Sequence, residues 1–404
     1  MTLSLHVEQS APIALAARLH CEPGQMLALV GPSGAGKSSL LRVIAGLLRP
    51  SNGELRLGDQ VWFDSTRGIW LPPQQRRVGL VFQSYALFPH MTALQNVAIA
   101  AGRDAQALER ARLWLQRVAM SEFADRRPAQ LSGGQQQRIA LARALVREPN
   151  ILLLDEPFSA VDQVTRQALH AELARLKRSL SIPIILVTHD LNEAAALADV
   201  MVIIDRGETL QQGVPRKVIA SPRNARVANL IGIQNHFSGV FRRAGDDGRA
   251  AGRATLWWGA QGTGIAIDVL DKGRIDDGQA VTWVVSGDHI SIDEKQHTDL
   301  GAVIASSSSP TSSQAASPAA SSASLAAASS AASPATSPAI HTRVEELGTL
   351  GEIVVSRLAV DALPGQVIRV NLTSKQARDL ALAVGSRLIV RLESAGIHVM
   401  PQRS

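Results

Sequence analysis

Apolar and polar positions divide the chain into two regimes. Over roughly the first 232 residues, short unbroken apolar runs alternate with stretches of helical period. Leu27–Val30, Ile151–Leu154, Ile184–Val187 and Val200–Ile204 are each the length of one buried strand, and SLLRVIAGLL and QQQRIALARAL are helical segments among them. That alternation predicts an α/β domain with a mainly parallel sheet packed between helices. From about His236 the pattern becomes short β-prone segments cut by Gly and Asp, as in TLWWGAQGTGIAIDVL and GQAVTWVVSGDHISI. A second such block contains GEIVVSRL, GQVIRVNL and SRLIVRL, with one helix predicted to open at Ser374 in LTSKQARDLAL. The two blocks match in length and alternation, which predicts a repeated small barrel. Between them the composition collapses to Ser, Ala, Pro and Thr, with almost nothing large and apolar to bury, the signature of a disordered linker. The predicted organisation is a domain at 1–232, a first β-rich half at 233–302, a linker at 303–340 and a second β-rich half at 341–404.

A length of 404 residues agrees with two or three domains. No apolar stretch approaches the roughly 18 residues of a membrane span. The opening MTLSLHVEQSAP lacks the basic and apolar regions of a signal peptide, so a cytoplasmic chain is expected. Cys21 is the single cysteine, which excludes an internal disulfide and a multi-cysteine metal site and predicts a small buried filler. The net charge of +6 permits an anionic partner, yet Lys and Arg are scattered without a run of five, and no nucleic-acid partner is expected.

Two segments carry phosphate chemistry. Residues 31–38, GPSGAGKS, fit G-x-x-x-x-G-K-[ST] between an apolar strand and a helix. Gly31, Pro32, Ser33, Gly34, Ala35, Gly36, Lys37, Ser38 and Ser39 are the predicted phosphate-binding residues, because such a loop turns its N–H groups and the positive end of the following helix toward an anion. Lys37 is expected on the β- and γ-phosphates and Ser38 on Mg²⁺. In ILLLDE, a buried strand ends in two adjacent carboxylates whose side chains must diverge. Asp155 suits the metal, and Glu156 suits a base that polarises an attacking water.

LSGGQQQR at 131–138 resembles the LSGGQ signature of ATP-binding cassette (ABC) ATPases, and Gln83 in VFQ, SAVD at 159–162 and His189 in VTHD follow in that family's order. The resemblance covers roughly residues 3–232. It implies a phosphate-loop cassette with a helical subdomain, ATP and Mg²⁺ as cofactors, and two cassettes meeting head to tail as a homodimer. It also implies that Ser132, Gly133, Gly134 and Gln135 contact the γ-phosphate across the interface, that Gln83 senses Mg²⁺ and water, that His189 contacts the γ-phosphate, and that Asp162 couples the two sites. The family's adenine-stacking aromatic is absent: no Phe, Trp or Tyr precedes Trp62, and His6 or His20 could stand in.

Within the family, binding-protein-dependent importers resemble the chain at RRVGLVFQSYALFPHMT, where Tyr85, Leu87 and Phe88 could line a groove for a membrane subunit or form core. The β-rich tail resembles the OB-like barrels that follow importer cassettes. FDSTRGIWLPPQQRRVGLVFQ and LTSKQARDLALAVGSRLIVRLESAGIHV resemble the ATPases of molybdate importers in the same register. That resemblance implies two transmembrane permease subunits, a periplasmic or extracellular substrate-binding protein, and a peripheral place on the cytoplasmic face of the cell membrane. Sulfate, ferric iron and polyamine importers are the alternatives. An oxyanion could bind the tail at Thr373, Ser374 and Lys375, or the tail could be a dimerisation spacer. A soluble ABC ATPase acting on nucleic acid would ordinarily show a coiled-coil insertion or a second cassette, and neither is present. An oxyanion-storage module would leave the nucleotide motifs without a use.

Overall fold

The computed structural model describes residues 1–402 except 12, 160, 244–251, 260–263 and 295–337, so the predicted linker at 303–340 lies almost wholly outside the described residues. The chain divides into two units, Met1–Ile233 and Gln234–Ser404.

The first unit is built on one eleven-stranded sheet. Five of its strands are parallel neighbours, in the order Val78–Val81, Ile151–Asp155, Ile184–Thr188, Met26–Val30 and Val200–Asp205. The four apolar runs of the sequence all fall in this group. Met26–Val30 and Ile184–Thr188 are buried at every position, as strands covered on both faces must be, which is why they read as continuous apolar runs. The expectation of a mainly parallel sheet is corrected here, because the remaining strands pair antiparallel, apart from a short parallel junction of Glu208–Gly213 with Leu15–Cys21. Leu3–Gln9 and Leu15–Cys21 alternate strictly between buried and exposed, the pattern of a sheet with one solvated face. Cys21 is buried in this layer, and burial pushes its thiol up to about 12.

Helices Ala93–Ala101, Ala107–Arg117 and Gly133–Leu145 share one apolar core with Gln163–Ser179 and one side of the sheet, while the helix Lys37–Ala45 packs in the core on the other side. A buried guanidinium fixes the end of Lys37–Ala45. Arg76 donates to the carbonyls of Val43 and Ile44 at 2.7 and 2.8 Å, to Leu71 at 2.8 Å and to Trp62 at 3.2 Å, with its charge 4.6 Å from the Trp70 ring centre. The cation thereby satisfies Ile44 O at the helix C-terminus and adds a second donor to Val43 O, which also accepts from Gly46 N.

In the second unit the two β-rich blocks are topologically equivalent. His236–Arg243, Arg253–Trp258, Ile265–Leu270 and Ala280–Val285 form one sheet; Ile340–Leu350, Ile353–Val360, Val367–Thr373 and Arg387–Leu392 form the other in the same order. Each block then makes a short 3-10 turn and sends its fifth strand to the opposite sheet. Ile290–Glu294 pairs with Arg387–Leu392, and Ile397–Pro401 pairs with Ala280–Val285. The repeat is thus real, but neither half closes alone, because each sheet takes its last strand from the other block. Both sheets contribute to one core, in which Phe237, Trp258 and Trp283 pack with ring centres 4.5–5.1 Å apart. Ser374–Asp379 is helical as expected, but short. Thr373 caps it and Ser374 Oγ donates to Glu352 O at 3.0 Å, so both hydroxyls of the suggested oxyanion site already have intrachain partners.

Candidate nucleotide site

Adjacent parallel strands deliver the candidate residues at their carboxyl ends, the edge where open α/β sheets present ligand-binding groups. Gln83 follows Val78–Val81, Glu156 follows Ile151–Asp155, His189 follows Ile184–Thr188, and the phosphate loop follows Met26–Val30, in that spatial order. Residues more than a hundred positions apart therefore become neighbours because their strands are neighbours.

Glu156 is the meeting point. Its Oε2 lies 3.4 Å from Gln83 Nε2, which donates to it, and 3.3 Å from His189 Nδ1. Its backbone is left-handed at φ 43°, an uncommon conformation for a residue with a side chain, and its N–H donates to Val187 O at 3.0 Å. Ser159 N and Oγ both donate to the Glu156 carbonyl, so the turn after the strand is closed from both sides. Strain of about 1–3 kcal/mol at such a position persists only where surrounding bonds hold it, and this turn carries them.

Lys37 opens the helix Lys37–Ala45 behind Gly36, whose φ of 95° suits glycine. Its Nζ is buried and donates to Gly31 O at 2.8 Å and Pro32 O at 2.9 Å. Burial holds the ammonium below its usual range, opposed by the charges of Glu156 and Asp155. Ser38 Oγ donates to Asp155 Oδ1 at 3.0 Å, and burial raises the Asp155 carboxyl above its usual range, opposed first by that hydrogen bond. A hydroxyl beside a half-buried carboxylate is a donor set suited to Mg²⁺, which takes one or two protein oxygens and keeps its remaining positions for water and phosphate. An ammonium held at the mouth of a glycine-containing loop is likewise suited to a polyphosphate. The residues present therefore fit both groups.

Gly31 has a second duty that the motif conceals. A Cβ at this position would stand 2.1 Å from the Ile204 carbonyl oxygen, so the loop leaves the sheet against a backbone that excludes any side chain.

Ser132 caps the helix Gly133–Leu145 in a reciprocal box with Gln135. A Cβ on Gly134 would meet Thr165 Cγ2 at 2.8 Å, so glycine also permits the approach of helix Gln163–Ser179. Among the described residues no hydrogen bond joins Ser132, Gly133, Gly134 or Gln135 to the phosphate loop of the same chain. Asp162 Oδ1 accepts from Thr165 N at 3.0 Å and caps the helix Gln163–Ser179. His6 and His20 are exposed and lie beside Glu8 and Glu22, at 3.3 and 2.8 Å. Tyr85 resolves as core, its hydroxyl donating to Pro157 O at 3.4 Å, whereas Phe88 is exposed and Leu87 half-buried.

Sequence reasoning missed the residues that hold these loops. Arg143, from the last turn of the signature helix, donates to the carbonyls of Tyr85 and Ala86 at 2.7 Å each, and both of those residues are left-handed. Arg76 was likewise hidden, as was Glu193, which accepts from Thr188 Oγ1 at 2.6 Å next to His189. A lone Arg or Glu in a helix or loop gives no signal of its own.

A family described as ABC transporter matches residues 16–159. The spermidine/putrescine import ATP-binding protein of Marinobacter nauticus is 44% identical over 229 residues, covering 55% of this chain and 60% of that protein. The sulfate/thiosulfate import ATP-binding protein of Agrobacterium fabrum is 45% identical over 230 residues, covering 55% and 66%. The Fe(3+) ions import ATP-binding protein of Brucella abortus is 43% identical over 221 residues, covering 54% and 61%. This chain thus spans about 60% of the length of the curated relatives it matches. The match to the ABC transporter family thus lies within the first unit of the chain, and an ATP-binding cassette of that kind takes ATP and Mg²⁺ as its cofactors.

Proposed function

We propose that this chain is the ATP-hydrolysing subunit of an ABC importer. It works as a homodimer of cassettes on the cytoplasmic face of the cell membrane, with two transmembrane permease subunits and a periplasmic or extracellular substrate-binding protein. The observation that carries the reading is the convergence of Gln83 and His189 on the single carboxylate of Glu156, beside a phosphate loop and the Ser38–Asp155 pair. No helix among the described residues is long and apolar enough to cross a membrane. A peripheral seat on the permeases is part of the same proposal.

ATP with Mg²⁺ supplies the phosphoryl group and the charge that completes the site. The chain's own contributions are local. Glu156 Oε2 accepts a proton from water, and Gln83 and His189 hold that oxygen in place. Lys37, now bonded to two carbonyls, would hold phosphate oxygens, and Ser38 with Asp155 would supply the oxygens for the metal. Ser132 and Gly133 offer their helix start to the nucleotide of a partner cassette, a role implied by the LSGGQ resemblance and suited to the N–H groups of a helix N-terminus. Lys37→Ala is expected to weaken ATP binding by at least about tenfold, the loss of one charge-assisted contact, read by fluorescent-nucleotide titration. Unchanged affinity would count against the site.

For the solute we propose a tetrahedral oxyanion, molybdate first. Support comes from the resemblance of two segments to molybdate-importer ATPases, from the duplicated β unit, and from the sulfate/thiosulfate relative at 45% identity. The spermidine/putrescine relative at 44% favours a polyamine as the second reading. The deciding experiment measures ATP hydrolysis by the chain assembled with its permeases, adding binding protein loaded with molybdate, sulfate, ferric iron or spermidine. Stimulation by molybdate alone is the expected result. Stimulation by spermidine would retain the motor and overturn the oxyanion.

A further inference from the structure

Behind the Glu156 turn, away from the phosphate loop, a second constellation of polar groups has no part in the chemistry described above. Glu193, in the helix Leu191–Leu197, is buried, and its Oε2 accepts from Thr188 Oγ1 at 2.6 Å. Thr188 Oγ1 in turn accepts from Asp190 N at 3.0 Å, so one hydroxyl closes the loop on both sides of His189. The other oxygen, Oε1, faces helix Gln163–Ser179, with His170 Nε2 at 3.7 Å and Arg166 Nε at 3.9 Å. Both of those nitrogens are buried and make no hydrogen bond. Two donors thus stand just beyond bonding reach of one carboxylate oxygen.

Each of the two donor residues also touches a loop of the site. Arg166 donates through its other nitrogen to Val161 O at 3.0 Å, immediately before Asp162. The His170 ring meets Phe158 edge-on at 4.5 Å, two residues after Glu156. A buried carboxylate needs compensating partners, and Arg166 and His170 are the groups that stand within ion-pair distance of its Oε1. Glu193, Arg166 and His170 therefore constrain one another. We propose that Glu193 is a positioning residue that ties the His189 loop to the Asp162 turn, so that displacement of one is transmitted to the other. This rests on the reading of Glu156 and His189 as hydrolytic groups, and it assigns a task to side chains outside the nucleotide motifs.

The test uses the full chain. Glu193→Ala removes both halves of the tie. It is expected to lower kcat for ATP by about twentyfold with KM changed less than about threefold, since Lys37 and Ser38 are untouched. Arg166→Ala is expected to lower kcat in the same way. The double variant should be no slower than the slower single, the non-additivity of residues acting as one unit. A readout independent of turnover is amide hydrogen exchange, in which Glu193→Ala should speed exchange at 161–166 by about tenfold, although Glu193 is not bonded to those amides. Unchanged protection at 161–166, or additive kcat losses, would overturn the proposal. Should Glu193→Ala fail to fold, Glu193→Gln keeps an acceptor for Thr188 and removes the charge; a kcat loss of about three- to tenfold is expected, and wild-type kcat would overturn it equally. A wild-type chain that fails to hydrolyse ATP would instead sink the reading of the site, and the exchange measurement would still judge the tie.

Discussion

Glu156→Gln is expected to lower the ATP turnover number by about 10²–10⁴-fold, the usual contribution of a positioned general base. Glutamine keeps the length and shape of the side chain. Its amide oxygen can still accept from Gln83 Nε2, so the geometry of the pocket should survive. The amide has no basic site for the proton of an attacking water, and only that function is lost. Nucleotide affinity should stay within about threefold, because the phosphate-holding groups belong to other strands. Phosphate release under steady state together with nucleotide titration checks both halves. Turnover within a factor of two of wild type would remove Glu156 from the role of base and shift attention to His189, 3.3 Å away.

Arg76→Met is expected to destabilise the first unit strongly. The substitution preserves bulk and removes the four hydrogen bonds that now serve Val43, Ile44, Leu71 and Trp62. At least three buried carbonyls lose a charge-assisted partner, and the end of the helix that begins at Lys37 loses its cation. The expected loss is about 2–3 kcal/mol, because Ile44 O and Leu71 O lose their donor while Val43 O and Trp62 O still accept from Gly46 N and Leu71 N. Burial already lowers the guanidinium to about 10, so it remains charged at neutral pH and its bonds there are those of a cation. The measurement is the denaturant midpoint of the first unit followed by tryptophan fluorescence, for which Trp62 and Trp70 lie directly against the guanidinium. Arg76→Lys should recover only part of the loss, since an ammonium lacks the planar fork that reaches separate carbonyls. A midpoint unchanged by Arg76→Met would mean that water replaces the cation at no cost.

The two effects differ in kind. Glu156 acts at the carboxyl edge of the sheet, where the strand ends leave side chains pointing away from the core and available for chemistry. Arg76 acts inside, at the opposite end of the same phosphate-loop helix. A single helix, Lys37–Ala45, therefore carries the proposed anion site at its N-terminus and is tied to the rest of the unit at its C-terminus.

What the sequence determined by itself was whatever is encoded in contiguous residues. The phosphate-loop motif, the apolar strand ending in Asp155 and Glu156, the helix behind Ser132 and the four apolar runs were all legible, since a turn, a helix or a buried strand is specified by neighbours along the chain. Local pattern also revealed that the tail holds two similar β blocks. Tertiary structure alone decided the rest. Gln83, Glu156 and His189 meet because three strands distant in sequence are adjacent in the sheet, and strand order is not written in any one segment. The exchange of fifth strands between the two halves of the tail is equally invisible, because Ile290–Glu294 and Ile397–Pro401 have the same alternation whichever sheet they join. Gly31, Arg76 and Glu193 owe their importance to a carbonyl, a helix end and a hydroxyl supplied by other parts of the fold. Partners brought together by folding leave no periodicity to read, since the physical constraint lies in the contact and not in the order of residues.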